Sequence, residues 1–511
     1  MFNRKRISNS KIFQGFLICF LGAVFFELIF EIEVWVSYLF LVGNLTLIFF
    51  GYRKRIIIWL FFCFLGIFFG CFLTGIKIDQ LYERPARDFS GYGYVFSEPK
   101  LKTEYQQLTV CPAELIDETR EADGFLIQPD CQEKILVFST LSSDYSFGQI
   151  IKLGCRLKNP ENKSSKFNYI RFLAKDNIYQ ICQSAKIEKI LSRDYQLTGF
   201  YKFKNLFYRS IFKFKKNLED KINQIFSFPE SAYLSGLLLG GEDRLPEVIQ
   251  ENFRRTGTTH TIAVSGFNIT ILASFFMGLG ILVGFYRQKA FWLAVIGIVF
   301  FVLMIGSPSS AVRAAVMGII LLWAAKKGRL ADSVQIILLA GALMIACSPL
   351  IAIYDVGFQL SFLASLSIVL IYGPLSERFN VKNDFLELKS ILLVTISAQL
   401  GVLGILLYTF ETFSPISLLA NLIVLPLIPL IMLTGFISIL IGFVSPLLAS
   451  FAVLPIQMAL NLEIVAIEQL ARISWASLEI GDIGIGGLLA YYLFLLIFIK
   501  FLRKEGKSKN K

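Results

Sequence analysis

A chain of 511 residues that is 55% hydrophobic, holds 50 phenylalanines and has a mean hydropathy of +0.62 is excluded from the soluble domains of ordinary composition. It reads as a polytopic membrane protein, whose net charge of +12, from 50 Lys and Arg against 38 Asp and Glu, orients it through its basic loops. One histidine in the whole chain leaves no His cluster for a metal centre.

The first candidate spans are 12–30, 34–50 and 56–76, each near the ~20 residues that cross a bilayer core. No small-residue cleavage site follows the first and further spans arrive at once, so it is read as a span and not as a signal peptide. Arg4, Lys5, Arg6 and Lys11 precede it, Arg53, Lys54 and Arg55 separate the second span from the third, and the turn between the first two is acidic at Glu31 and Glu33. Positive loops stay inside, so the N-terminus is cytoplasmic and the chain from 77 to about 224 lies outside.

The outer segment, 77–199, alternates like strands at 93–96, 107–111, 134–139 and 150–157, with turn residues between, and predicts a small all-β domain, barrel or sandwich. Its acidic and basic residues are near balance, so it carries no strong electrostatic footprint for nucleic acid. Four of the eight cysteines fall here, Cys111, Cys131, Cys155 and Cys182; in an oxidising compartment they are disulfide candidates, with the pairing left open and free thiols as the alternative. Segment 200–230 is basic and aromatic, Y-K-F-K-N-L-F-Y-R-S-I-F-K-F-K-K. It suits a helix at the membrane interface better than a track for stacked bases and phosphates.

A second membrane block, 231–502, holds candidate spans at 259–285, 290–305, 311–325, 334–346, 356–372, 390–410, 416–436, 447–467 and 485–502, for about twelve in all. An even number puts both termini inside. Arg287 and Lys289, then Lys326, Lys327 and Arg329, then the tail 503–511 all fall on the cytoplasmic side of that count, and the acidic Glu479 and Asp482 fall outside. Four clusters bring polarity to membrane depth. In 252–272 helical spacing puts His260, Val264, Asn268 and Leu272 on one face beside Thr261 and Ser265, a polar stripe that lines a path or serves close packing. Gly306 and Pro308 break a helix that restarts with Arg313 one turn inside, a costly residue unless it meets an anion, water or carbonyls. Asp355 and Gln359 share a helical face, and Asp355 is the natural partner of Arg313 if the two form a structural ion pair. Asn421 precedes Pro426 and Pro429, which interrupt another span as where backbone lines a cavity.

These segments resemble, in the same order, the ComEC competence family, the inner-membrane channel proteins of natural transformation. R-R-T-G-T-T-H-T-I-A-V-S-G-F-N at 254–268 is similar to the family's R-x-x-G-x-x-H-L-L-A-I-S-G-L-H through Arg255, Gly257, His260, Ala263, Ser265 and Gly266. Asn268 stands where the family has a second histidine, and Thr261 and Ile262 replace a Leu pair. The resemblance extends to 234–246, to the turn at Gly306 and Pro308 with Arg313, to D-V-G-F-Q-L-S at 355–361 and to 421–426. Outside the membrane, G-Y-V-F-S-E-P at 93–99 and K-F-N-Y-I-R-F-L-A-K-D-N-I at 166–178 look like the family's OB-fold domain.

The resemblance implies a polytopic α-helical membrane protein with an inserted extracytoplasmic OB-fold barrel, in the inner cell membrane, that imports single-stranded DNA. Its pore candidates are Arg255, His260, Ser265, Asn268, Arg313, Asp355, Gln359 and Asn421, and its helix-break candidates are Gly266, Gly306, Pro308 and Pro426. Many family members continue into a metallo-β-lactamase-like domain; here the chain ends about nine residues past the last span, and the expectation is that this domain is lacking. Neither a P-loop nor a Ser-His-Asp pattern is present, so no enzyme activity, catalytic residue, metal or cofactor is expected. The partners implied are single-stranded DNA, membrane lipid, a DNA receptor, a cytoplasmic ATPase or helicase and a separate nuclease, with a homo-oligomer left open. Two other classes compete: a secondary transporter of a small anionic solute with Arg313 as counter-charge, and a binding module whose spans are only an anchor.

Overall fold

A computed structural model describes residues 9–31, 38–39, 42, 55–81, 84–101, 105–117, 125–141, 145–162, 167–183, 185–190, 195–241, 244–262, 264–326, 332–379 and 388–509. The expected second span, 34–50, lies almost wholly outside them. So do Arg53, Lys54, Ala263, Lys327 and Arg329. Among the described residues nine helices are long and apolar enough to cross a membrane, and two shorter apolar helices, Ser309–Ala324 and Ser333–Cys347, stand beside them. Together these fall on eleven of the expected spans.

The first two helices, α1 (Asn9–Phe30) and α2 (Arg55–Asp79), pack as a close pair. Gly66 and Gly70, four residues apart, make this possible: a Cβ on either would stand 2.6 or 2.7 Å from the carbonyl oxygen of Phe16 or Phe20. Small residues at that spacing let helix backbones touch where lipid offers no hydrophobic drive for association.

Between α2 and the second block, strands β1 (Arg87–Val95), β2 (Lys100–Leu101), β3 (Gln106–Asp117), β4 (Phe125–Pro129), β5 (Lys134–Ser139), β6 (Ile150–Lys158), β7 (Ile178–Cys182), β8 (Lys186–Lys189) and β9 (Tyr195–Leu197) form one sheet. It runs β1-β6-β7-β5-β3, and β3 pairs back with β1, which closes a five-stranded barrel. All four expected strand runs lie in it. The period of two decides the interior: Leu108 and Val110, Ile135 and Val137, Ile151 and Leu153 point inward and are buried. The short helix α3 (Tyr169–Ala174), capped by the Asn168 side chain on the Arg171 amide, bridges β6 to β7. Cys111 is bonded to Cys131, and Cys155 to Cys182.

Helix α4 (Gly199–Ile225) joins barrel to bundle. Its first half lays Tyr201, Tyr208 and Phe212 on the barrel wall around Tyr94 and Phe147. In its second half Phe214 meets Phe300, and Lys221 and Ile225 lie against Gly442. Buried Lys215 is tied to Glu98 of the barrel at 2.7 Å, and Glu219 to Arg244 at 2.7 Å. Phe200, Phe203, Leu206 and Phe207 remain exposed.

Helices α5 (Glu230–Leu239), α6 (Glu247–Arg255) and α7 (Thr259–Ile262) lead into the spans α8 (Gly266–Leu282), α9 (Arg287–Met304), α10 (Ser309–Lys326) and α11 (Ser333–Cys347). There follow α12 (Ile351–Tyr354), α13 (Val356–Ser367), α14 (Gly373–Arg378), α15 (Leu388–Phe410), α16 (Ser417–Val424), α17 (Ile428–Val444), α18 (Pro446–Ala471) and α19 (Gly484–Lys509). The barrel sits on the bundle through α3 and the turn after it. Arg171 bonds Glu31 and the Tyr354 hydroxyl, Lys175 pairs with Asp355 at 2.7 Å, and Lys77 donates to the Tyr179 hydroxyl at 3.0 Å. The C-terminal ends of α1 and α2 and the 348–355 turn therefore share the barrel's side. At the far end Gln14 donates to Asp332 at 3.2 Å, so α1 and α11 start together.

Candidate functional site

The expected helix over 259–285 is broken. Helix α7 stops at Ile262, Ser265 is extended (φ −108°, ψ 172°), and α8 starts at Gly266. A single stripe of His260, Val264, Asn268 and Leu272 therefore does not form. At the break Ser310 donates its hydroxyl to the Val264 carbonyl at 3.2 Å, and just beyond it Asn268 donates its amide to the Leu237 carbonyl of α5 at 3.2 Å. Unsatisfied backbone at this depth would cost several kcal/mol per group. Ser265 completes the set by donating to Asn268 Oδ1 at 3.2 Å.

Those bonds bring three helix starts together. The start of α10 lies beside that of α8, where a Cβ on Gly266 would stand 3.4 Å from the Ala314 Cβ. It also lies beside that of α13, where a Cβ on Gly357 would be 3.8 Å from the Ser309 hydroxyl. Gly306 and Ser307 make the turn into α10 with φ of +83° and +56°, followed by Pro308. Each helix start leaves N–H groups without intrahelical acceptors and carries partial positive charge. Arg313 sits one turn into α10, 5% exposed, and its Nε and Nη1 have no hydrogen-bond partner among the described residues. A buried guanidinium one turn into α10, with no counter-ion among the described residues, has the chemistry to take an anion.

Asp355 is not its counter-ion. One carboxylate oxygen caps α13 by accepting from the Phe358 amide at 3.0 Å, and the other accepts from Lys175 of the barrel at 2.7 Å. Nor do Asp355 and Gln359 present a joint polar face. Asp355 lies before the first turn of α13, and Gln359 spends its amide on the carbonyls of Ala352 and Ile353, at 3.1 and 2.6 Å.

The approach segment joins the same place. Gly257 (φ +67°) runs so close to the start of α16 that a Cβ would stand 2.8 Å from the Ser417 Cβ, and only glycine takes both that dihedral and that gap. His260 and Thr259 are accessible while Thr258, Thr261 and Ile262 are buried. Arg255 ends α6 half-buried, near Glu251. Asn421 is 3% exposed in α16, its Oδ1 without a partner, and the helix breaks at Pro426 before α17 begins. Sequence reading passes over Glu463, although it is the one carboxylate within 447–467; the structure buries it completely against Tyr233.

A family model described as Competence protein matches residues 237–505, a stretch that takes in α8 to α18 and every helix start described above. The chain belongs to the competence protein family. It is similar to ComE operon protein 3 of Bacillus subtilis (strain 168), 27% identical over 198 residues, which is 39% of this chain and 24% of that relative. The chain thus spans about a quarter of the length of the curated relative it matches. No solved structure matches it.

Proposed function

We propose that this competence-family protein passes single-stranded DNA inward across the cytoplasmic membrane, with the barrel outside and both termini in the cytoplasm. What supports the reading is the buried Arg313, with no counter-ion among the described residues, one turn into a helix whose start lies beside those of α8 and α13. A phosphate backbone crossing hydrocarbon needs positive or hydrogen-bonding walls, because a bare phosphate there would face a desolvation cost far above thermal energy. The family supplies the context of DNA uptake in competence. Barrel, strut and bundle give the strand an outer domain to meet before it reaches the membrane.

In a competent host lacking its own copy, Arg313→Ala should lower DNA uptake about a hundredfold, the effect of losing about 2–3 kcal/mol of charged hydrogen bonding, with membrane abundance kept. Arg313→Lys should retain part of the activity, since it keeps the charge and loses the planar fork. Normal uptake through a stable Arg313→Ala protein would defeat the proposal. The same anion site also fits a secondary transporter of a small anionic solute, whose half-helix starts would hold the substrate. In that case Arg313→Ala would abolish solute uptake and leave DNA uptake unchanged.

A further inference from the structure

Glu463 lies in α18, inside the membrane span Leu447–Ala471, and is 0% exposed. The Tyr233 hydroxyl, also fully buried, donates to its Oε2 at 2.8 Å, and Oε1 has no hydrogen-bond partner. Among the described residues, the elements packed against this part of α18 bring Glu463 no counter-charge. Helix α5 brings Glu230, which holds Asn461 at 2.9 Å and Ser227 at 3.3 Å. Helix α6 brings Glu247, Glu251, Arg254 and Arg255, of which Arg254 is bound to Glu251 at 2.7 Å. Helix α7 brings His260, and Thr261 beside the Tyr233 hydroxyl. Helices α16 and α17 contain no ionisable residue; on α4, Lys204 lies over the Phe96 ring, Lys215 pairs with Glu98, Glu219 pairs with Arg244, and Lys221 donates to Gln224. Among the described residues no cation lies within 4.0 Å of Glu463.

A carboxylate in that position would be a bare charge in a low-dielectric interior, supported by one phenol hydrogen bond, and taking up a proton is the cheaper solution. With Tyr233 donating to Oε2, the proton belongs on Oε1. A glutamine would make the Tyr233 contact equally well, so a fold that needed only the hydrogen bond would gain nothing from an acid. Tyr233 also reaches the segment described above, because Thr261, beside its hydroxyl, adjoins His260.

We infer that Glu463 is an intramembrane proton-binding site: it rests as the neutral acid on Tyr233, and releasing or regaining its proton changes the state of the pathway. The step is an acid–base exchange in which the Oε1–H bond breaks, the proton passes to a water molecule, and the carboxylate left behind favours an arrangement that hydrates it. The acid itself stands on geometry alone. Its coupling to passage rests on the proposed DNA channel.

The test uses full-length protein in lipid. Infrared difference spectra at neutral pH between wild type and Glu463→Gln should show loss of a protonated carboxylic acid C=O stretch. Tyr233→Phe should keep that band and move it to higher frequency, as one hydrogen bond is removed. A Glu463→Gln spectrum that loses only the bands of an ionised carboxylate would overturn the assignment. In cells, DNA uptake by wild type should vary with external pH, and Glu463→Gln, a permanent mimic of the protonated acid, should flatten the profile at equal abundance. An unchanged profile alongside the infrared band would overturn the coupling. An Arg313→Ala protein with normal uptake would remove the channel reading and leave the infrared result standing.

Discussion

At the scale of single residues, charge was legible in the sequence and pairing was not. Arg313 announces itself as a guanidinium one turn inside an apolar helix, and it is indeed buried and unpartnered. Asp355 invited a pairing with it because both are charged residues at membrane depth. Its actual partner, Lys175, lies 180 residues away in another domain, and no periodicity reports such a contact. The consequence is testable by stability. Asp355→Ala removes a helix cap worth about 1 kcal/mol and strands a buried Lys175, a loss of about 3–5 kcal/mol, so thermal unfolding of the purified protein should occur at clearly lower temperature. Lys175→Met combined with Asp355→Asn should recover most of it, since Asn still caps. Exchanging the charges of Arg313 and Asp355 should rescue nothing, and a rescue would mean that the two do pair.

Hydropathy found the membrane helices because lipid demands about twenty apolar residues whatever surrounds them, and so the elements were more legible than their interruptions. Gly266 and Pro426 marked the breaks at 264–265 and 425–427, but the stripe drawn through His260, Val264, Asn268 and Leu272 runs straight across the first, where the Val264 carbonyl is met by the distant Ser310. The four barrel strands were legible from alternation. Cysteine pairing was not, because register sets it: Cys155 and Cys182 meet only through the pairing of β6 with β7. Replacing both by serine should lower barrel stability by about 3 kcal/mol, measured by denaturant unfolding, while an unchanged transition would show the bridge to be dispensable. Helix α4 was expected at the membrane surface. It leans on the barrel with one half and on Phe300 and Gly442 with the other. Tryptophan at Phe214 should therefore be quenched strongly by brominated lipid and tryptophan at Phe200 weakly. Equal quenching would indicate a helix lying flat.

The whole molecule is a barrel docked on one end of a helical bundle, with the start of α10 beside those of α8 and α13, and the α13 start capped by the Asp355 to which the barrel is tied. Orientation follows from which end the barrel occupies. A membrane-impermeant thiol reagent on intact cells should label Glu188→Cys in the barrel and miss Arg287→Cys at the start of α9; the reverse pattern would turn the molecule over. The central claim is that DNA passes through the bundle beside Arg313. Photo-crosslinking during uptake tests it most directly, with a photoreactive amino acid in place of His260 in one protein and of the exposed Leu489 on α19 in another. Radiolabelled incoming strand should become attached at position 260 and not at 489. Attachment at both alike, or at neither while uptake proceeds, would contradict the account.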